Sequence, residues 1–401
     1  MSHPADDHTG ARIAFHRKLR HLTQAGLAQR AFVSRGTIAK VEAGLTPATP
    51  GVVAAVARAL EVGVEVLNGQ PYLEEMRQDR LDRMIAPLSN ALDVYDLGPD
   101  PNVTPRPVAL IEADVDRLCA AACATEYRGT GERLPGLLAE LTTALSALPA
   151  GAARRRAATS LSWCYWVAYE FAYRLGYHHL ALIALERMGW MAEQAQDPLL
   201  LAVRLGRRSS VLLRRGDNQL ALRVLDRGHW LIEQHDEPGS VPAIAVSGTL
   251  HLLAAISAAQ AGDEETVRER LQAARGAADR IGRDVPQVYW ASFGRTNVAH
   301  FEVATAVELG NLGEATKTAR GLHFPPGHPR MRVGRYHMEL ARAYARMGKN
   351  TLAEKELQKA REAAPQQARY HPLMRETTGI LVRRARSVPG SLASLAAWVG
   401  G

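Results

Sequence analysis

Between residues 176 and 357 the chain repeats one short pattern five times: a glycine, four residues, a small residue, three residues, an apolar residue. It reads Gly176-Ala181-Leu185, Gly216-Ala221-Leu225, Gly262-Val267-Leu271, Gly310-Ala315-Ala319 and Gly348-Ala353-Leu357, with 40, 46, 48 and 38 residues between successive glycines. Each glycine closes a run with helical apolar spacing ("YRLG", "LRRG", "AQAG", "VELG", "ARMG"), and the small residue lets the next helix approach closely. One helical hairpin cannot bury its own apolar face, so five in order must stack on one another. No stretch from the central prolines to the end shows sustained strand alternation, so an all-α fold is expected.

The length of 401 residues exceeds one usual domain and asks for at least two. Few aromatics beside abundant Ala, Leu and Arg favour helices over strands. Cys119, Cys123 and Cys164 form no CxxC pair and no disulfide framework, and the i,i+4 spacing of the first two reads as small buried hydrophobes. His178-His179 has no third ligand nearby, so neither a metal nor another cofactor is expected. The opening "MSHPADDHTG" is polar and acidic, unlike a signal peptide, and the longest apolar run, from Val246, reads as too short for a bilayer. The expectation is a cytoplasmic protein without a membrane partner.

Charge is segregated near the start. From Ala11 to Val41 the chain carries Arg12, Arg17, Lys18, Arg20, Arg30, Arg35 and Lys40 and no acid. The same region divides into short helices. Ile13, Phe15, Leu19 and Leu22 mark the first, and Thr23 caps a second through "QAGLAQRAF". Ser34 caps a third, where Val33 and Ile38 stand as a hydrophobic staple and Gly44 ends the helix. Pro50 starts a fourth, and "VGVEVL" supplies a fifth. In the third helix Ile38 and Val41 face inward, and Arg35, Gly36, Ala39 and Lys40 face solvent.

The stretch "LTQAGLAQRAFVSRGTIAKVEAG", within Arg12 to Leu67, resembles the Cro/C1 or Xre-type helix-turn-helix. The resemblance implies a five-helix, lambda-repressor-like domain bound to double-stranded operator DNA. It implies a phosphate contact for Gln24, backbone or base contacts for Ser34 and Thr37, and major-groove contacts for Arg35 and Lys40. It also implies a structural pair between Glu42 and Arg17. Two positions depart from the family pattern. Phe32 occupies the turn where Gly is usual, asking for a conformation that tolerates a side chain, and Gly36 replaces a longer polar residue.

A connecting helix from Tyr72, which Pro87 kinks or ends, and the proline-rich "DLGPDPNVTPRP" separate residues 1–70 from an array at 108–401, with 71–107 as connector. The five glycine-centred hairpins resemble tetratricopeptide repeats with a longer period, hence an α-solenoid with a concave groove. Together the two parts resemble the peptide-responsive RRNPP regulators. They resemble more closely a group of actinobacterial Xre regulators, through "YWASFGRTNVAHFEVATAVELGNLGEA", "GRYHMELARAYARMG" and "HPLMRE"; that group often has proline where Arg295 stands. Asn297 lies on one helical face with Phe293 and Phe301 and has both donor and acceptor for a peptide backbone, or for a neighbouring helix. Arg295, Thr296, His300 and Arg335 complete the candidate effector site. The aromatics of "SWCYWVAYEFAYRLGY" read as packing between helices. No catalytic motif is present, so the expectation is a homodimeric regulator, not an enzyme, that responds to a peptide or small molecule. The alternative is a DNA-binding adaptor that recruits a protein through its array.

Overall fold

The computed structural model describes residues 8–235 and 237–400; the acidic opening "MSHPADD" lies outside them. Among the described residues the chain is helical throughout, and the sole β pairing is an isolated antiparallel bridge between Val285 and Phe293.

The first helices are α1 (Thr9–Leu19), α2 (Gln24–Ala31), α3 (Arg35–Glu42), α4 (Pro50–Ala59) and α5 (Val64–Asn68). Local chemistry sets their starts. The hydroxyls of Thr23, Ser34 and Thr49 accept from the backbone N–H of Gly26, Thr37 and Val52 at 3.0, 3.0 and 3.2 Å, and Pro50 pre-sets the first turn of α4. Ile13, Leu27, Ile38, Val41, Ala54, Val56, Leu60 and Leu67 form their own core, with Val33 packed at its edge. Phe32 ends α2 in the left-handed region at φ 54° with its ring 95% exposed. The turn thus keeps the backbone that glycine would favour, and the side chain bears the strain, a cost of about 1 kcal/mol.

The segment after Gln70 departs from a single connecting helix. It breaks into α6 (Leu73–Gln78), a 3₁₀ turn at Asp82–Met84 and α7 (Ile85–Asp93), with Arg80 left-handed at the break. Pro87 lies in the first turn of α7, where a missing N–H costs nothing, and neither kinks nor ends it. Tyr72, Met76, Leu81, Met84, Leu88 and Leu92 join the large core of the array, so this stretch is packed structure, unlike a free connector.

Beyond the non-helical stretch 94–107 come α8 (Val108–Cys123) and α9 (Tyr127–Ala147). Five hairpins follow in order: α10 (Ala152–Leu175) with α11 (His178–Ala195), α12 (Pro198–Arg215) with α13 (Asn218–Glu233), and α14 (Val241–Ala261) with α15 (Glu264–Ile281). The last two are α16 (Arg295–Leu309) with α17 (Leu312–Arg320), and α18 (Arg330–Arg346) with α19 (Asn350–Ala363). The five repeated glycines sit at the hairpin bends with φ between 74° and 92°, a region that penalises any Cβ. Ala181, Ala221, Ala315 and Ala353 are fully buried and Val267 nearly so. The repeat read in the sequence is therefore the bend of each hairpin plus its close helix crossing. The solenoid ends in α20 (Pro365–Tyr370), α21 (Pro372–Arg384) and α22 (Gly390–Trp398).

One sequence expectation is corrected here. Helix α14 runs 21 residues, long and apolar enough to cross a membrane by length and composition. Its environment decides otherwise: 67% of its most apolar window is buried, and it packs against α12, α13, α15 and α16 as the central helix of the array.

The array curls until its end meets its beginning. Helix α20 touches α10, Arg375 pairs with Glu75, and Arg369 lies 3.4 Å from Asp79. The five-helix N-terminal unit seats on this curl. Helix α4 packs on α12 and α14, and Arg58 donates to the carbonyls of Arg215, at 3.3 Å, and Gly216. From the other side, Glu376 of α21 accepts from the Thr9 N–H at 3.3 Å, Arg383 donates to Gly44 O at 3.3 Å, and Arg384 donates to Leu45 O. The loop after α3 is thereby tied to the array, while α3 itself packs mainly on α1 and α2.

Candidate functional site

The outer face of α3 is open. Arg35, Gly36 and Lys40 are exposed, and Thr37 and Ala39 partly so. Ser34 serves the helix first: its hydroxyl caps the Thr37 N–H and lies 2.8 Å from the Thr37 hydroxyl, which fixes both side chains at the helix start. Lys18 and Arg30 are also exposed and Arg20, which makes a long 3.4 Å bond to Glu61 O, partly so, giving an acid-poor, basic face. Two of the seven basic residues face inward. Arg12 is 8% exposed and donates to Leu67 O at 2.8 Å and Asn68 O at 3.1 Å, closing α1 onto the end of α5.

Arg17 donates to both Glu42 oxygens, at 2.6 and 2.8 Å, and to Leu22 O. The hydrogen bond to Glu42 holds the Arg17 guanidinium above its ordinary pKa. Gln24 differs from the phosphate role implied by resemblance: its side-chain amide donates to Glu42 at 2.9 Å and is occupied within this network. The network clamps the starts of α2 and the end of α3 to α1, so it sets the angle at which α3 is presented.

The second feature is a cavity of about 280 Å³ in the curl of the array. The first helix of every hairpin contributes to its wall, through residues such as Tyr173, Arg207, Ile256, Phe301 and Arg332. The remaining wall comes from the N-terminal unit, through Thr9, Pro50, Val53, Val64 and Asn68, and from α20 and α21, through Gln367, His371, Leu373 and Glu376. The structure divides the five residues expected at an effector site. His300 and Arg335 line the cavity. Arg295 does not: it is exposed and pairs with Asp279 at 2.9 Å. Thr296 is held at the start of α16, its N–H donating to Asp284 at 3.3 Å. Asn297 is 1% exposed, one turn before His300 and Phe301, and neither its amide oxygen nor its nitrogen has a partner. Burial and the guanidinium of Arg332 push the His300 ring well below its ordinary pKa, so it is neutral.

Residues 9–68 match a family model described as a helix-turn-helix domain. This is the domain of DNA-binding regulators, and α2 and α3 are its two defining helices. No curated protein and no solved structure matches the chain.

Several residues around the cavity escaped the sequence reading. Glu170 and Arg174, Arg207 and Arg214, and Arg332 and Glu339 on either side of the expected Arg335, line it from three helices. A signal existed: these charged residues recur three, four or seven apart, the spacing that places them on one face of a helix. What could not be read was that the three helices turn those faces to one space that the helix-turn-helix domain closes.

Proposed function

We propose that the protein is a sequence-specific transcriptional regulator that acts in the cytoplasm as a homodimer and changes its DNA affinity when an effector binds the array. The observation that carries the DNA-reading part is the acid-poor face of Lys18, Arg20, Arg30, Arg35 and Lys40, exposed or partly so, on a helix-turn-helix domain whose α3 packs mainly on α1 and α2. In this reading α3 enters the major groove, where Arg35 and Lys40 meet base edges and the hydroxyls of Ser34 and Thr37 approach base or backbone. Gln24 then acts through its backbone N–H at the start of α2 and by bracing Glu42. A dimer places two such helices about 34 Å apart, one DNA turn.

The effector part rests on the seating of the helix-turn-helix domain. Because it walls the cavity, a molecule bound there touches the reader and the array together, and differential affinity for two seatings becomes a change in DNA binding. Genome-wide mapping of bound sites, followed by measurement of affinity for one mapped operator, tests the reading. Arg35→Ala is expected to weaken that affinity by tenfold or more and relax one base preference; a change within twofold at unaltered preference refutes the assignment of α3.

A further inference from the structure

The cavity carries more positive charge than its own residues neutralise. Glu170 of α10, 6% exposed, accepts from Arg174 at 2.9 and 3.1 Å and lies 3.5 Å from Arg207. Burial pushes its carboxyl up, but Arg174 and Arg207 outweigh that and hold it ionised. Arg332 joins the same cluster from α18 and brings no acid of its own. Among the described residues no carboxylate lies within ion-pair distance of it; its Nε is buried without a partner, and one amino group makes a long 3.4 Å bond to Ala291 O. Three guanidiniums thus share one carboxylate. Arg214 adds a fourth whose contacts are neutral: the Tyr173 hydroxyl at 3.1 Å, the Gln70 carbonyl at 3.2 Å, His178 at 3.4 Å and the face of the Tyr173 ring.

The remaining acids do not balance this excess. Glu308 and Glu339 are taken by Arg342 at 2.7 and 2.8 Å, and Glu339 by Arg335 as well. Burial raises the Glu376 carboxyl above its ordinary pKa, against the hydrogen bond from Thr9. His300 and His371 are both pushed well below theirs by burial, then by the neighbouring arginines. Burial and the nearby Arg207 lower Arg332 itself to about 10, the mark of a buried cation short of a counter-charge. Keeping such a cation buried and short of a counter-charge destabilises the empty protein, and sites are where chains tolerate that. Apolar and aromatic residues, among them Tyr169, Tyr173, Leu253, Ile256, Phe301 and Val53, share the wall with uncharged polar ones such as Ser210, Gln260 and Gln367.

We infer that this cavity binds a small organic anion, a carboxylate or phosphate monoester on a compact apolar body, with its acid group between Arg174, Arg207 and Arg332. The inference rests on the proposed effector reading and narrows it. At about 280 Å³, just below the ~300–1,000 Å³ usual for small-molecule sites, the cavity suits a compact molecule better than an extended peptide. Planar bidentate recognition by guanidinium suits both acid groups, and an anion supplies the missing counter-charge.

Thermal denaturation of the full chain at matched ionic strength tests this with inorganic phosphate, phenyl phosphate, benzoate and neutral benzamide. Phenyl phosphate or benzoate is expected to raise the Tm by at least 3 °C with saturation, and benzamide to leave it unchanged. Comparison of the first two tells phosphate from carboxylate. Arg332→Met is expected to fold, with an unliganded Tm equal to or above the parent, and to bind the anion at least tenfold more weakly. Should that variant fail to fold, Arg332→Lys keeps the charge without the planar fork and must show a diminished shift. Arg35→Ala, on the DNA face, must keep the full shift. The inference falls if no probe anion raises the parent Tm beyond benzamide, if the shift persists undiminished in the Arg332 variants, or if Arg35→Ala removes it, which marks an adventitious surface ion only. Operator binding measured on the same samples separates the two ideas: its persistence while the anions fail removes the anion site and leaves the regulator standing.

Discussion

Salt is the sharpest probe of which basic residues meet DNA. Each phosphate neutralised releases counterions, so the logarithm of affinity falls against the logarithm of salt with a slope of about −0.9 per contact. The sequence offers seven cations between Ala11 and Val41, but Arg12 is spent on Leu67 O and Asn68 O and Arg17 on Glu42. Lys18, Arg20, Arg30, Arg35 and Lys40 remain on the surface. One helix-turn-helix domain then has a limiting slope of about −4.5 and a dimer about −9. Raising monovalent salt from 50 to 200 mM therefore weakens a one-domain complex by about 500-fold at most, and a two-domain complex by about the square of that. Fluorescence anisotropy of a labelled operator across that range measures the slope. Arg30→Ala and Lys18→Ala are each expected to make it shallower by about 0.9 without altering base preference. A slope for the parent shallower than about −2, or one that both substitutions leave unchanged, refutes this DNA-facing surface.

Three further outcomes follow from the packing. Gly36→Gln should be accommodated, since a Cβ there meets only the Ser34 hydroxyl at 3.8 Å, and should raise stability by up to ~1 kcal/mol while sharpening preference at the facing base; a lowered Tm counts against it. Arg342→Ala removes a fully buried guanidinium that ties Glu308 of α16 to Glu339 of α18, so denaturant unfolding should report a loss of about 3–5 kcal/mol, and a loss under 1 kcal/mol would show the network is idle. Acid should destabilise the array: burial lowers His178 to about 3 and His229 to about 4, and holds His300 and His371 well below their ordinary value. Below about pH 6.5 the unfolded chain takes up protons that these folded sites refuse, so their stabilisation is complete above that pH and is lost as the pH falls. By pH 5.5 His178 and His229 each withhold roughly 1 kcal/mol, His300 and His371 act in the same direction, and a Tm unchanged between pH 7.5 and 5.5 contradicts their burial.

Local order was written plainly in the chain. The glycine at each hairpin bend, the hydroxyl caps at Thr23, Ser34 and Thr49, and the inward pair Ile38 and Val41 depend on residues within a few positions of one another, which is the range over which sequence periodicity speaks. For the same reason α3 and its neighbours could be placed before any coordinates. Where several arrangements share one local pattern, only the tertiary structure decided. Arg12 and Lys18 look alike in sequence, yet Arg12 is claimed by carbonyls more than fifty residues away. Arg295 has the right spacing for a groove but finds Asp279 outside it. The segment after Tyr72 reads as a connector because its apolar residues have no local partner, and it is buried because distant helices supply one. The cavity is the extreme case: its arginines come from three helices, α10, α12 and α18, that lie far apart in sequence. Their shared lack of acid arises only when curvature, summed over five hairpins, brings those inner faces together beneath the helix-turn-helix domain.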